Sequence, residues 1–170
     1  FITVGATTNL FGEKLVPAFT NYGKENGDIF APGYKIYMAN HPESYTTESG
    51  TSYAAPMVSG TAALIWLYYT NLTVQEVKKI ILESGTSYDI EVLVPGGEGK
   101  KAPFKELSKS GKVSNVYTAM EMAKELSRKN KNWFKPSLSI LKDEKSKEKN
   151  LFIIAIVNYY SLFSKRERAI

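Results

Sequence analysis

The chain has 170 residues, 43% hydrophobic and 23% charged, which is the size and composition of one soluble globular domain and excludes collagen-like and largely disordered chains. It contains no cysteine and one histidine, which excludes disulfide scaffolds, zinc–thiolate sites and thiol catalysis and leaves little room for a histidine-rich metal site. The net charge of +5 belongs to the last quarter: residues 1–127 carry 11 basic and 13 acidic side chains, whereas residues 128–170 carry 11 and 4, so we expect no nucleic-acid partner.

The first six residues have the composition of a β-strand. Because the chain begins inside this strand, we expect it to be part of a longer protein, and the sequence shows no signal peptide. Two further short strands are predicted on either side of the turn formed by Pro32 and Gly33. The polar segment 39–50, which holds His41, is predicted to be a loop.

Residues 52–69 are nearly uncharged and rich in small side chains, with a hydrophobic run in their second half. This composition predicts a helix that begins at Ser52 and is apolar on nearly every side, so we expect it to be buried all round. Pro56 lies near the start of this helix, where a missing amide hydrogen is tolerated best.

Two more helices are predicted after this one. Residues 73–76, Thr-Val-Gln-Glu, have the pattern of a capping box, and Gly85 is the expected end of the helix behind it. The segment 91–112 is rich in glycine and lysine and is predicted to form a long excursion. Ser114 or Asn115 is expected to cap a third, amphipathic helix.

The composition changes near Arg128, and we place a domain boundary there. Residues 129–170 are expected to be a basic tail, either a linker or sequence unrelated to the body of the chain. The apolar stretch 151–163 is shorter than the roughly 20 residues of a membrane-spanning helix. It can be a docking strand, a segment that touches a membrane or unrelated sequence; we favour the last and expect no membrane contact.

The segment 50–60 carries the most informative pattern, Gly-Thr-Ser-Tyr-Ala-Ala-Pro-Met-Val-Ser-Gly. It places the hydroxyl of Ser52 at the entrance of the predicted helix, where unpaired amides and the positive end of the helix dipole lie. This position suits a nucleophilic serine, because the amides can stabilise a developing oxyanion. On these features alone, a simple helix cap at Ser52 is the more common arrangement.

This segment resembles the nucleophile motif of the subtilases, the subtilisin-like serine peptidases, Gly-Thr-Ser-x-Ala-x-Pro-x-Val-x-Gly, at every fixed position. The resemblance covers residues 1–128 in the family's order. Residues 2–6 are similar to a family strand, residues 19–23 to its Phe-Ser-Asn-Tyr-Gly segment, and residues 28–33 to its Ala-Pro-Gly turn.

The resemblance implies the α/β fold class, as the C-terminal part of a subtilisin-like three-layer fold with a largely parallel sheet and a buried central helix starting at Ser52. It also implies a serine endopeptidase whose acyl-enzyme forms on Ser52, with the backbone at Thr51 and Ser52 supporting the oxyanion. Tyr53 and Met57 stand where the family often has methionine and histidine, and Tyr53 adds bulk beside the nucleophile.

In the family, the triad aspartate and histidine and the oxyanion asparagine precede the residues that match this chain. We therefore expect the isolated chain to be inactive and its partners to be a protein or peptide substrate and the missing N-terminal part of the same domain. His41 is interpreted as a solvated residue rather than a substitute base, and Asp28 and Asp89 as turn residues rather than orienting acids.

No cofactor is expected, and the family's calcium sites cannot be transferred because no complete ligand set is visible. The resemblance implies secretion or a location in the cell envelope. Two alternatives stay open: a degenerate subtilase module that binds peptide without catalysis, and a membrane-surface protein that uses the apolar stretch 151–163. The intact nucleophile motif counts against the first alternative, and the acidic body counts against the second.

Overall fold

The computed structural model describes residues 1–41 and 43–130. In chain order these form β1 (Val4–Thr7), β2 (Ile29–Pro32), β3 (Ile36–His41), β4 (Ser44–Glu48), α1 (Thr51–Tyr68), α2 (Val74–Ser84), β5 (Thr86–Ser87), β6 (Glu91–Leu93), β7 (Lys101–Pro103), β8 (Lys112–Val113) and α3 (Val116–Lys129). A short 3-10 turn, Phe104–Glu106, follows β7. In this part of the chain, no helix is both long and apolar enough to cross a bilayer. The predicted tail lies outside the described residues from residue 131 onward.

A four-stranded sheet in the order β1-β2-β8-β5 forms the centre of the fold. β1 and β2 are parallel, with Val4 opposite Ile29, and β2 and β8 are parallel, with Phe30 opposite Val113. β5 closes the sheet antiparallel to β8. The prediction of an α/β fold with a largely parallel sheet is confirmed.

Alternate residues of β2 face two different hydrophobic cores, because successive side chains of a strand point to opposite faces. Ile29 and Ala31 belong to the first core, which is built with residues of all three α-helices. Phe30 belongs to the second core, on the other face of the sheet. All four residues of β2 are buried as a result.

The predicted excursion at 91–112 supplies much of the second core. β6 and β7 pair as an antiparallel hairpin, and Val92 and Phe104 are fully buried. The ring of Phe104 lies 5.2 Å from that of Phe30, centroid to centroid. Most lysines of this segment are exposed, and Gly96 and Gly99 lie in exposed turns, whereas Gly111 is buried.

The prediction that residues 39–50 form a loop is wrong. β3 and β4 pair as an antiparallel ribbon, with Tyr37 opposite Thr47. Tyrosine and threonine favour strands, and the stacked rings of Tyr37 and Tyr45, 5.1 Å apart, stabilise the pairing. The ribbon is exposed along most of its length, so its polar composition hides its strands.

The predicted capping box at the start of α2 is confirmed. The Thr73 hydroxyl accepts a hydrogen bond from the Glu76 amide at 3.3 Å, and the Glu76 carboxylate accepts one from the Thr73 amide at 2.7 Å. α2 ends before Gly85 as predicted. Glycine is required at this position by lack of space, because a Cβ at Gly85 would lie 2.8 Å from the Cβ of Lys112 in β8. Its φ of −58° is one that other residues also adopt.

The capping box makes the stability of the fold depend on pH. The Thr73 amide, the Asn130 side-chain amide and the Thr73 hydroxyl all donate to the Glu76 carboxylate, and these bonds hold its pKa below the usual value. Because the folded-state pKa is lowered, the stabilisation is complete above the ordinary pKa of glutamate and is lost as the pH falls through the lowered value.

Replacing Glu76 by glutamine is therefore expected to lower the urea midpoint of unfolding at pH 7 and to have a shrinking effect as the pH approaches 3. Thr73→Ala, which removes the other half of the box, should lower the free energy of unfolding by about 1 kcal/mol. Glu121→Gln, at an exposed position of α3, is the control. An effect of Glu76→Gln that is the same at pH 7 and pH 3 would show that the charge of Glu76 contributes nothing.

The third helix begins as predicted. The side chain of Asn115 accepts hydrogen bonds from the amides of Tyr117, at 3.0 Å, and Thr118, at 3.2 Å, and so caps α3. Near its C-terminal end, the Ser127 hydroxyl donates to the Asn71 side chain at 2.8 Å. α3 is thereby fastened to the turn that joins α1 and α2.

Candidate active site

Helix α1 begins at Thr51, one residue before the predicted start, and Gly50 occupies its N-cap position. Ser52 is therefore the second residue of the helix and does not cap it. The side chain of Ser52 is exposed and has no hydrogen-bond partner in the described part of the chain. Its hydroxyl is thus free to react with a molecule that approaches the start of the helix.

The backbone amides of Thr51 and Ser52, at this helix start, are unpaired within residues 1–41 and 43–130. The amide of Tyr53 donates to the Gly50 carbonyl at 3.1 Å, and the amide of Gly50 donates to the Gly33 carbonyl at 2.8 Å. The amides of Thr51 and Ser52 have no such acceptor, as is usual in the first turn of a helix. They lie at the positive end of the helix dipole and can donate to an oxyanion formed beside the Ser52 hydroxyl.

The helix start lies at the carboxyl edge of the parallel strands. Gly33, which follows β2, donates its amide to the carbonyl of Thr7, the last residue of β1, at 3.1 Å. The Gly33 carbonyl in turn binds the amide of Gly50. Ser52 is therefore placed at the strand ends where ligands of open α/β sheets usually bind.

The prediction that this helix is buried on every side is wrong for the described residues. Its core-facing residues, including Ala54, Val58 and Ile65, pack into the first core. The opposite side is a continuous exposed surface without a single charge, here called the α1 stripe, which consists of Ser52, Ala55, Pro56, Ser59, Ala63, Trp66 and Leu67. An exposed helix face normally carries charged side chains, and the α1 stripe carries none.

The two residues that depart from the motif have different surroundings. The half-buried ring of Tyr53 lies against Gly50, 3.5 Å from the position that a Cβ on this glycine would take. Tyr53 therefore borders the turn that carries Ser52. Met57 points inward and packs against the first core, so it is part of the scaffold.

His41 is not brought to Ser52. It lies at the end of β3, opposite Ser44, at the outer tip of the β3–β4 ribbon, whereas the start of α1 follows the base of this ribbon. The four residue steps from Ser44 to Glu48 alone correspond to about 13 Å of strand. His41 is exposed, as expected for a solvated residue.

The two candidate acids are also remote from Ser52. Asp28 is buried at the amino end of β2, where its carboxylate accepts a hydrogen bond from the Thr3 amide at 2.9 Å and pairs with Lys78 at 3.4 Å. This is the end of the sheet opposite to Ser52. Asp89 is exposed between β5 and β6. Within the described residues, no three acidic or histidine side chains are grouped so that they could hold a metal ion.

The sequence pattern predicts only a turn at Gly33, and the structure places this residue beside the start of α1, which carries Ser52. The signal was the match of residues 28–33 to the family turn, which says nothing about the contact with Gly50 and Ala54. That contact depends on residues 17 and 21 positions further along the chain.

A family model described as the subtilase family matches residues 1–117. The chain belongs to the subtilase family. Among curated subtilases, serine protease AprX of Bacillus subtilis is 38% identical over a region covering 50% of this chain and 24% of the relative. The extracellular serine proteinase of a Thermus species is 41% identical over 50% of this chain and 20% of the relative.

Solved subtilase structures share the fold. The subtilase cytotoxin SubAB matches with a TM-score of 0.57 and 26% identity, over 74% of this chain and 37% of the other. The prenylagaramide maturation protease PagA matches with a TM-score of 0.54 and 28% identity, over 72% of this chain and 42% of the other. The chain thus spans less than half the length of these relatives.

Proposed function

We propose that this chain is the nucleophile-bearing part of a secreted serine endopeptidase of the subtilase family, with Ser52 as the nucleophile. The observation that carries the proposal is the exposed hydroxyl of Ser52, a residue that does not cap the helix. It lies beside the unpaired amides of Thr51 and Ser52, at the carboxyl edge of the parallel sheet. Secretion is proposed because relatives such as the Thermus enzyme are named extracellular.

In the proposed reaction, the Ser52 hydroxyl attacks the carbonyl carbon of a peptide bond while a general base takes its proton. The carbonyl oxygen becomes an oxyanion that accepts hydrogen bonds from the backbone amides at Thr51 and Ser52. The peptide C–N bond then breaks, the amine leaves with a proton, and an acyl-enzyme ester remains on Ser52. Water, deprotonated by the same base, hydrolyses this ester.

The general base is proposed to come from the N-terminal part of the same domain. His41 is the single histidine of the sequence, and it lies at the far tip of a ribbon. Two features of the fold support a partner at this position: β1 is an edge strand of the described sheet, and the α1 stripe is uncharged and exposed. A further strand can pair with the free edge of β1, and further residues of the domain can pack on the α1 stripe.

A chimera tests this proposal. Residues 1–130 replace the corresponding part of AprX, which includes the segment that aligns with this chain, so that the N-terminal part of that relative supplies the base. We expect the chimera to be labelled by a fluorophosphonate and to hydrolyse a peptide substrate. Ser52→Ala should abolish both, whereas Ser59→Ala, on the same face of the same helix, should leave both intact.

A folded chimera that is not labelled at Ser52 would overturn the nucleophile assignment. If that chimera still bound a peptide inhibitor, the alternative of a non-catalytic peptide-binding module would be supported. Folding is checked independently by circular dichroism and by the urea midpoint of unfolding, so a misfolded chimera is not mistaken for either outcome.

A further inference from the structure

We propose that Gly33 is a positioning residue that sets the start of α1 and thereby the direction of the Ser52 hydroxyl. The inference rests on the proposed function, because it concerns the setting of the same nucleophile. It assigns to a turn residue, 19 positions before Ser52, a role that the nucleophile motif itself does not contain.

The backbone of Gly33 joins the sheet to the helix. Its amide donates to the Thr7 carbonyl at the end of β1, and its carbonyl accepts from the Gly50 amide at the N-cap of α1. One residue therefore connects the carboxyl end of a strand to the first turn that carries Ser52. Any displacement of Gly33 relative to β1 is passed to Gly50 through a single hydrogen bond of 2.8 Å.

The junction around Gly33 has no room for a side chain. A Cβ at this residue would lie 2.7 Å from the Cβ of Ala6, 2.8 Å from the Gly50 carbonyl oxygen and 3.1 Å from the Cβ of Ala54. The backbone of Gly33 is not in the left-handed region, so space, not conformation, requires glycine here. Ala6 and Ala54 are themselves fully buried, and neither can turn away.

The helix start is the side of this junction that can give way. Ala6 is held in β1 by pairing with β2 and by the Thr20 hydroxyl, which accepts a hydrogen bond from the Ala6 amide at 2.7 Å. The first turn of α1 has the exposed α1 stripe on its other side. An added methyl group at Gly33 is thus expected to push Gly50 outward and to tilt the amides of Thr51 and Ser52 with it.

The cysteine-free sequence allows a direct test in the full chain. Ser52→Cys introduces a unique thiol, whose pKa is lowered by the free amides and the dipole at a helix start. The pKa is measured as the midpoint of the pH profile of iodoacetamide alkylation. In the background of Ser52→Cys, we expect Gly33→Ala to move this midpoint upward by about 0.5 to 1 pH unit, because the amides no longer face the sulfur.

Gly85→Ala is the matched control. A Cβ at Gly85 would lie 2.8 Å from the Lys112 Cβ and 2.9 Å from the Val113 carbonyl oxygen, so the crowding is similar, but it occurs at the end of α2. This variant should lower the urea midpoint of unfolding without moving the alkylation midpoint. If the thiol pKa of Ser52→Cys is lowered and both Gly33→Ala and Gly85→Ala leave it equally unchanged, the positioning role is refuted.

Hydrogen exchange separates this inference from the proposed function. Gly33→Ala should accelerate exchange of the Gly50 and Tyr53 amides at least tenfold more than Gly85→Ala does, whatever the pKa of the thiol. An ordinary thiol pKa in Ser52→Cys itself would count against the electrostatic setting proposed for the nucleophile, while the exchange rates still decide the role of Gly33. If Gly33→Ala does not fold, Ala6→Ser, which crowds the same junction from the strand, replaces it; unchanged exchange at Gly50 in that folded variant would overturn the inference.

Discussion

The isolated 170-residue chain is expected to hydrolyse peptides about 10⁶-fold more slowly than the AprX chimera and to show no labelling by a fluorophosphonate. This magnitude is the one known for subtilisin, a member of the same family, when its nucleophile or its base is removed. The physical reason is that a serine hydroxyl is a weak nucleophile at neutral pH without a base, and His41 lies at the tip of the β3–β4 ribbon.

The comparison requires equal amounts of folded protein, determined by circular dichroism before each assay. His41→Ala in the chimera is the control, and it should leave the rate within twofold of the parent. Labelling of the isolated chain that disappears with Ser52→Ala would show that the base lies within these 170 residues. A large loss with His41→Ala would identify that base.

A lysine in the α1 stripe is expected to have little effect on stability in the isolated chain and a large effect in the chimera. In the isolated chain, Ala63→Lys should change the free energy of unfolding by less than about 0.5 kcal/mol, because Ala63 is exposed. In the chimera, the same change should lower it by about 3 kcal/mol or prevent folding, because a charge would be buried against the N-terminal part without a partner. Urea midpoints of both proteins measure the difference.

Ser87→Lys is the control for this experiment. Ser87 is exposed in β5, at the edge of the sheet opposite to β1, and the substitution adds the same charge. It should be tolerated equally in the chain and in the chimera. If Ala63→Lys is also tolerated equally in both, the α1 stripe is not the surface that meets the N-terminal part of the domain.

Local signals were sufficient where local chemistry determines the structure. The Thr73–Glu76 capping box, the cap at Asn115 and the apolar strand β2 all depend on residues within a few positions of one another, and the structure confirms each. The start of α1 was misplaced by one residue, because a serine is a better N-cap than a glycine on average. At Gly50 the carbonyl of Gly33 takes the role of a cap partner by binding the amide.

Features that depend on distant parts of the chain could not be predicted. The two cores on either side of β2 require Val92 and Phe104 to pack behind Phe30, more than 60 residues away in sequence. The α1 stripe was predicted to be buried because its composition is that of a buried surface. Composition alone does not show whether other residues cover that surface. The ring stacking of Tyr37 and Tyr45 needs the ribbon to exist first. For the site, the motif predicted which residue carries the hydroxyl, but not the junction at Gly33.

Because β2 pairs with β8, the central sheet cannot be completed until residue 113 has been synthesised. Phe30 pairs with Val113, which leaves the ribosome 83 residues later. Until then, the edge of β2 away from β1 has no partner strand, although β1 has already been made. Long-range pairing of this kind is slow and leaves apolar surface open to other chains. A nascent chain stalled before residue 113 should therefore need a chaperone that holds extended apolar segments. Emergence of β8 from the ribosome should end that dependence.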